Sequence, residues 1–150
     1  MVATELKKIK FHYVDASFFF PFRTLVKEAI LKLFRNEGFK VASVDYVFCN
    51  DTYLLKLNKK HLNHNTLTDI ITFQYSEPAQ PISSDIFISV ERVKENAQLY
   101  QCPFLNELQR VIFHGALHLC GYTDKQEEDI QTMRAKENFY LRYVPRETKF

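Results

Sequence analysis

Residues 104–124 read FLNELQRVIFHGALHLCGYTD, and this stretch decides the fold. Its apolar residues recur at helical spacing but cover more than one face, so a helix from Phe104 to Cys120 is predicted to be largely enclosed by the rest of the protein. Gly121 stands where a left-handed turn would end that helix. The sequence therefore predicts a central helix on which the other elements pack.

A candidate metal site lies in the same stretch, in the pattern H-x-x-x-H-x-x-G-x-x-D. His114 and His118 are four residues apart on one helix, so their imidazoles project from one face and can chelate a single cation. Beyond the turn at Gly121, Asp124 can supply a third ligand. The chance of this pattern in such a composition is on the order of one in a thousand. We predict one divalent ion per chain, and this donor set favours Zn²⁺.

The same residues are also compatible with a purely structural role. The two histidines could be hydrogen-bonded core residues, and Asp124 could cap the following helix. Gly115 lowers the stability of a helix by roughly 1 kcal/mol relative to alanine. Its presence indicates that something approaches the helix beside His114, or that a strand packs closely there.

The composition limits the protein classes that this chain can belong to. Its 150 residues, 46% of them hydrophobic, suit one globular domain with a sizeable core. A formal charge of +2 excludes a polycation that coats nucleic acid through bulk charge. No apolar run is long enough for a signal segment or a membrane span. We therefore expect a cytoplasmic protein with no membrane partner.

Outward from the central helix, apolar patterns predict four strands and four further helices. Pro21 opens the first helix and Gly38 follows its end, Asp51 is expected to cap the second, and Ser89 to cap the third. A last helix runs from about Gln126 to Tyr143, and residues 76–84 read as a loop. The predicted strands are Lys10–Val14, Val41–Cys49, Ile70–Tyr75 and Asp85–Ser89. This order predicts an α+β domain, with a small four-stranded mixed sheet packed with about five helices.

The histidine spacing also resembles the zinc-binding run of metzincin proteases, H-E-x-x-H-x-x-G-x-x-H. In those proteases the glutamate takes a proton from the attacking water. Gly115 occupies that position here. A metzincin-like protease is therefore a secondary hypothesis.

A block of motifs gives the chain a closer resemblance to another family. The run His114-Gly-Ala-Leu-His118-Leu-Cys-Gly121-Tyr122 resembles the signature H-G-x-L-H-L-x-G-Y-D-H of the YbeY family. Upstream, Thr68–Phe73 resembles the family's T-D-V-L-S-F, and Asp85–Ser89 resembles part of its G-D-I-x-I-S. Further matches fall at Leu57-Asn58, Glu107-Leu108, Met133 and Glu137.

The resemblance implies a single-metal endoribonuclease that cuts single-stranded RNA. Its implied role is maturation and quality control of the small ribosomal subunit, with ribosomal RNA or that subunit as partner. Two departures stand out. Asp124 replaces the family's usual third histidine, and the family's tyrosine-arginine pair is here His61-Leu62. Lys59, Lys60 or His64 could substitute for the missing arginine, without its bidentate geometry.

Further candidate residues flank the proposed metal ligands. Glu107 and Arg110 lie on the same helix as His114, and could act as proton acceptor and phosphate clamp; an exposed helix-face pair is the favoured alternative. Asp69 and Asp85 stand at strand entries, where a turn or capping role is favoured. Lys56, Lys59 and Lys60 form either a surface that binds RNA phosphates or a solvated helix face.

A competing function is a non-enzymatic ribosome-assembly factor that binds RNA around a structural metal. Structural zinc sites are closed by four protein ligands, whereas catalytic sites keep a position open. The sequence offers three ligands, and this favours the enzyme.

Overall fold

Four strands form a mixed sheet in the computed structural model, which describes residues 3–62 and 68–148 apart from the side chain of Leu62. The strands are β1 (Ile9–Tyr13), β2 (Val41–Cys49), β3 (Ile70–Gln74) and β4 (Ile82–Ser89). The helices are α1 (Ala3–Leu6), α2 (Arg23–Asn36), α3 (Asp51–Leu62), α4 (Val90–Leu99), α5 (Phe104–Leu119) and α6 (Glu127–Leu141). The predicted α+β class and four-stranded mixed sheet are confirmed. The four-residue α1 was missed, because it is too short to show a helical period.

The strand order is β1-β2-β4-β3, with β2 parallel to both β1 and β4 and β3 antiparallel to β4. Tyr46 of β2 pairs with Ile86 of β4, and both side chains are fully buried in the main core. The opposite face of the sheet carries a smaller cluster, in which Tyr53 of α3 stacks on Phe87. The sheet is therefore covered on both faces, with α3 on the smaller cluster's side.

The central helix α5 packs closely on the sheet at Gly115. A Cβ atom there would lie 2.9 Å from Cδ1 of Ile70 and 3.1 Å from Cγ2 of Ile86. One turn away, the Tyr46 hydroxyl donates a hydrogen bond to the Ile112 carbonyl at 2.8 Å. Close packing of the strands, left open by the sequence, is thus the reason for this glycine. The contact fixes the height of His114 above the sheet.

Most predicted helix ends are correct, but α2 begins at Arg23 rather than at Pro21, because Phe22 adopts a left-handed conformation just before it. Gly38 and Gly121 adopt positive φ angles of 89° and 98°, as expected for residues that follow a helix. Ser89 caps α4 by accepting a hydrogen bond from the Arg92 amide at 3.2 Å. The second predicted cap is wrong, because Asn50 rather than Asp51 accepts the Tyr53 amide at the start of α3.

Two further details differ from the sequence prediction. Asp51 instead binds the Arg92 guanidinium and the Ser89 hydroxyl, which ties α3 to the start of α4. Strand β4 begins at Ile82, so the predicted loop ends earlier than residue 84. The inward-facing Ile82 continues the alternation of β4 past the polar residues that had suggested a loop. Within the described residues, no helix combines the length and the apolar character needed to cross a bilayer.

Candidate metal centre

Three side chains meet near the C-terminal end of α5. Ligand atoms of His114, His118 and Asp124 all lie within 4.8 Å of one another. Nε2 of His114 is 3.4 Å from Oδ2 of Asp124, and Nε2 of His118 is 3.8 Å from Oδ1. Ligands about 2.0–2.2 Å from a tetrahedral ion stand about 3.3–3.6 Å apart. The three residues therefore fit one divalent ion after small side-chain adjustments.

The turn after α5 brings Asp124 back toward the histidines. Gly121 takes the left-handed conformation, and the Tyr122 amide donates to the Leu117 carbonyl at 3.1 Å. Helix α6 begins only at Glu127. Asp124 is therefore not the N-cap of α6, and the capping role that the sequence left open is wrong.

Glu137 of α6 holds the ring of His114. Its Oε2 lies 2.7 Å from Nδ1 of His114, and its side chain is almost fully buried. This contact assigns the Nδ1 proton to the hydrogen bond and leaves Nε2 free to bind a metal. Burial alone would lower the pKa of His114, but the bonded Glu137 carboxylate raises it above its ordinary value.

Arg110 completes the surroundings of Glu137. Its Nη1 donates to Oε1 of Glu137 at 2.9 Å, and its Nη2 donates to Asn138 at 2.8 Å. Burial alone would raise the pKa of Glu137, but hydrogen bonds from His114 and Arg110 lower it below its ordinary value. The carboxylate therefore stays ionised and keeps His114 in a fixed orientation.

His118 is held from the opposite side. Its ring is hydrogen-bonded to the backbone of Tyr122, whose hydroxyl donates to Glu37 at 2.7 Å. Glu37 follows the last residue of α2 and also accepts hydrogen bonds from Tyr140 and Lys136. Burial alone would raise the pKa of Glu37, but these hydrogen bonds lower it. The loop between the two segments that carry the candidate metal ligands is thus anchored to both α2 and α6.

A cleft of about 310 Å³ opens beside His114 and Asp124. Helix α5 contacts both α4 and α6, so it forms the floor between them. The walls include Asn96 of α4 with Tyr100 just after that helix, and Ile130 and Arg134 of α6. An open cleft next to three ligand atoms gives a substrate access to the metal position.

Two more carboxyl groups line this cleft. Burial raises the pKa of Glu107 to about 7, and the nearby Asp69 adds to the shift while Arg110 opposes it. Burial likewise raises the pKa of Asp69, against the opposing effect of His114. Glu107 precedes His114 by two helical turns, about 10 Å along α5. The charges of His114 and Asp124 both affect the pKa of Asp69, whereas neither is among the groups that shift the pKa of Glu107.

A family model described as Endoribonuclease YbeY matches residues 9–144. This chain belongs to the YbeY family. An Endoribonuclease YbeY of Flavobacterium psychrophilum is 48% identical over 117 residues, which cover 78% of this chain and 80% of that protein. One of Amoebophilus asiaticus is 40% identical, over 85% of this chain and 86% of that protein. The family predicted from the sequence is confirmed.

A solved structure shares the fold. The solution structure of the Thermotoga maritima protein TM1509 superposes with a TM-score of 0.61 at 23% sequence identity. The match covers 89% of this chain and 87% of the other. The likeness supports the α+β architecture found here.

The remaining predicted site residues lie in different environments. Glu107 is only 6% exposed and Arg110 is half-buried, so the alternative of an exposed helix-face pair is wrong for this YbeY-family chain. Lys56, Lys59 and Lys60 are exposed on α3 and do not line the cleft. His64 lies outside the described residues, and so does the side chain of Leu62. Asp85 accepts the Tyr75 hydroxyl at 2.8 Å, in keeping with a structural role.

In the sequence, Glu137 matched a position of the YbeY family, but no role was predicted for it. A signal was present, because Ile130, Met133, Glu137 and Tyr140 recur at one face of α6 and only one of them is charged. A single carboxylate on an apolar face requires a buried partner. The place of Asp69 beside the ligands was missed for a different reason, since nothing near it in the sequence connects β3 with α5.

We expect Glu137→Gln to lower zinc affinity by about 10- to 100-fold, because it removes the charge that orients and polarises His114. Competition with a chromogenic chelator measures the affinity. Glu128→Gln makes the same chemical change at an exposed position of α6 and is the matched control. Equal zinc affinity in the two variants would show that Glu137 has no role at the metal.

Proposed function

We propose that this YbeY-family endoribonuclease hydrolyses single-stranded RNA at a single metal held by His114, His118 and Asp124. Its substrate is ribosomal RNA, and its role is maturation and quality control of the small ribosomal subunit. The observation that carries the proposal is the cluster of three ligand atoms at the edge of an open cleft. Three protein ligands leave a coordination position for water or substrate.

The donor set is suited to a catalytic ion. Two imidazoles and one carboxylate favour zinc or a neighbouring first-row ion. When bound, such an ion acidifies water and polarises a phosphoryl oxygen. The chain's own contribution is to hold the ligands: Glu137 orients His114, and the Tyr122 backbone orients His118.

Asp69 is the best-positioned proton acceptor. It lines the cleft and interacts with His114 and Asp124, and its raised pKa brings it closer to the pH at which a general base works best. Glu107 also lines the cleft. Its pKa of about 7 makes it a second candidate for proton transfer.

The two arginines of the cleft have different roles, one in positioning Glu137 and the other in binding phosphate. Arg110 is engaged by Glu137 and Asn138, so its main role is to hold the carboxylate that orients His114. Arg134 lines the cleft with a half-exposed guanidinium whose nearest carboxylate oxygen, on Glu137, is 3.9 Å away. Because this ion pair is long, Arg134 is available to bind a phosphate. Lys56, Lys59 and Lys60, exposed on α3 outside the cleft, are a further candidate contact for RNA phosphates.

The two alternative functions have less support. A structural zinc site needs a fourth ligand, and the cluster found among the described residues has three members. A metzincin-like protease needs a general-base carboxylate at position 115, where a side chain would meet Ile70 and Ile86 of the sheet. An RNA hydrolase remains the function that these residues favour.

The proposal is tested by incubating metal-loaded protein with single-stranded RNA, a matched RNA duplex and an unstructured peptide. We expect chelator-sensitive cleavage of the single strand, little cleavage of the duplex and none of the peptide. The double variant His114→Ala and His118→Ala should lose both metal and activity. Cleavage of the peptide alone would favour the protease, and RNA binding without cleavage would favour the assembly factor.

The role of Asp124 predicts a distinctive metal preference. Asp124→Ala should weaken zinc binding by on the order of 100-fold or more, beyond the loss typical of an outer-shell residue. Asp124→His should tighten zinc binding and reduce acceptance of manganese, because nitrogen is a softer ligand than oxygen. Parallel zinc and manganese titrations measure both effects, with Glu127→Ala as an exposed control in the same region. Unchanged zinc affinity in Asp124→Ala would place the third ligand elsewhere.

We expect Asp69→Asn to lower kcat by about 100-fold or more while the metal content stays unchanged, since a general base contributes 10²- to 10⁴-fold. Asp85→Asn is the matched control, because Asp85 also precedes an apolar run but does not line the cleft. Single-turnover cleavage of RNA across a pH series is the measurement.

Glu107→Gln distinguishes the two carboxyls. If Glu107 only relays protons, its loss lowers kcat less than that of Asp69. A base must be ionised to act, so a Glu107 base makes the rate rise with pH through about 7. Loss of that rise in Glu107→Gln, with little effect of Asp69→Asn, would assign the base to Glu107.

A further inference from the structure

An aromatic side chain lies exposed at the edge of the cleft. Tyr100 follows the last residue of α4, lines the cleft and is 57% exposed. Within residues 3–62 and 68–148, its ring stacks on no other ring and its hydroxyl has no hydrogen-bond partner. Burial in the core does not account for this tyrosine, and neither does a hydrogen bond.

A second exposed side chain with a large apolar surface lines the same cleft. Ile130 belongs to the first turn of α6 and is 42% exposed. Tyr100 lies just after α4 and Ile130 lies on α6, and both helices pack on α5 at the floor of the cleft. Two exposed side chains with large apolar surfaces in one cleft suit a flat apolar ligand.

The charges of the cleft do not by themselves favour an RNA backbone. Four lining residues carry carboxyl groups and two carry guanidinium groups, and one of these, that of Arg110, is paired with Glu137. A polyanion therefore gains little from the protein's own charges here. A contact to the base therefore adds binding energy that the metal position and Arg134 do not supply.

We propose that Tyr100 and Ile130 form a nucleobase subsite, in which one unstacked base of single-stranded RNA packs on the Tyr100 ring. Asn96 lies one turn before Tyr100, lines the same cleft, and has no side-chain partner among the described residues. Its amide can meet the polar edge of that base. The subsite rests on the proposed function and adds a residue-level reason for single-strand preference.

Stacking explains why a duplex is a poor substrate. Both faces of a base in a helix are covered by its neighbours, whereas a base in a single strand can turn outward onto an aromatic ring. Every base has a π face, so a tyrosine platform tolerates many sequences. The subsite therefore selects strandedness more than sequence.

The test compares cleavage of a labelled single-stranded RNA by metal-loaded wild-type, Tyr100→Ala and Tyr100→Phe proteins. Tyr100→Ala should raise KM by roughly 5- to 150-fold, which corresponds to loss of one base–aromatic stack, with a smaller change in kcat. Tyr100→Phe should stay within about twofold, because the ring is retained. Leu99→Ala is the control, since Leu99 is 74% exposed next to Tyr100 but outside the cleft.

A set of RNAs with one abasic nucleotide at successive positions identifies the base. At one position near the cleavage site, removing the base should raise the KM of the wild-type protein as much as Tyr100→Ala raises KM on intact RNA. For Tyr100→Ala itself, the same abasic RNA should cause no further rise in KM. An unchanged KM for Tyr100→Ala on intact RNA overturns the subsite. Equal sensitivity of wild type and variant to every abasic position also overturns it.

Failure of the proposed function gives a different result. If the wild-type protein cleaves no RNA, fluorescence anisotropy measures binding of the same intact and abasic RNAs. A loss of affinity at one abasic position that depends on Tyr100 supports the subsite in a non-catalytic protein. Binding without any dependence on Tyr100 overturns it.

Discussion

The hydrogen bonds of the buried Glu137 carboxylate are the interaction on which the candidate metal centre and its surroundings depend. A charge removed from water is tolerated only when hydrogen bonds and opposite charges compensate for its lost hydration. Here Arg110 and His114, both on α5, supply those contacts to a residue of α6. The same contacts that join the two helices also fix the tautomer and direction of a candidate metal ligand. Helix packing and site geometry are therefore coupled.

Each imidazole is held by a different part of the fold. His114 depends on α6 through Glu137, and its height above the sheet follows from the contact of Gly115 with β3 and β4. His118 depends on the backbone of Tyr122, which Glu37 ties to the end of α2. Pre-organisation of this kind keeps metal ligands within a narrow range of geometry. It also explains why so many elements surround the short motif that carries the candidate metal ligands.

The cleft combines features that have opposite effects on the binding of RNA. Its carboxyl groups suit metal binding and proton transfer, and the burial that raises the pKa values of Asp69 and Glu107 favours their neutral forms. The carboxyl groups also oppose the approach of an RNA backbone. Apolar contacts at Tyr100 and Ile130 offer attraction that does not depend on charge. A substrate held by its base, with its phosphate directed to the metal position, reconciles the two demands.

The sequence by itself determined the family, the α+β class and the local spacing of the candidate metal ligands. These features depend on short spacings, such as the helical separation of His114 and His118 and the left-handed turn at Gly121, which neighbouring residues impose on one another. Only the tertiary structure decided which distant residues complete the site. Glu137 is 23 residues from His114, and Asp69 immediately precedes β3, far from α5 along the chain. Their contacts arise from packing of whole elements, which local propensity and periodicity do not encode.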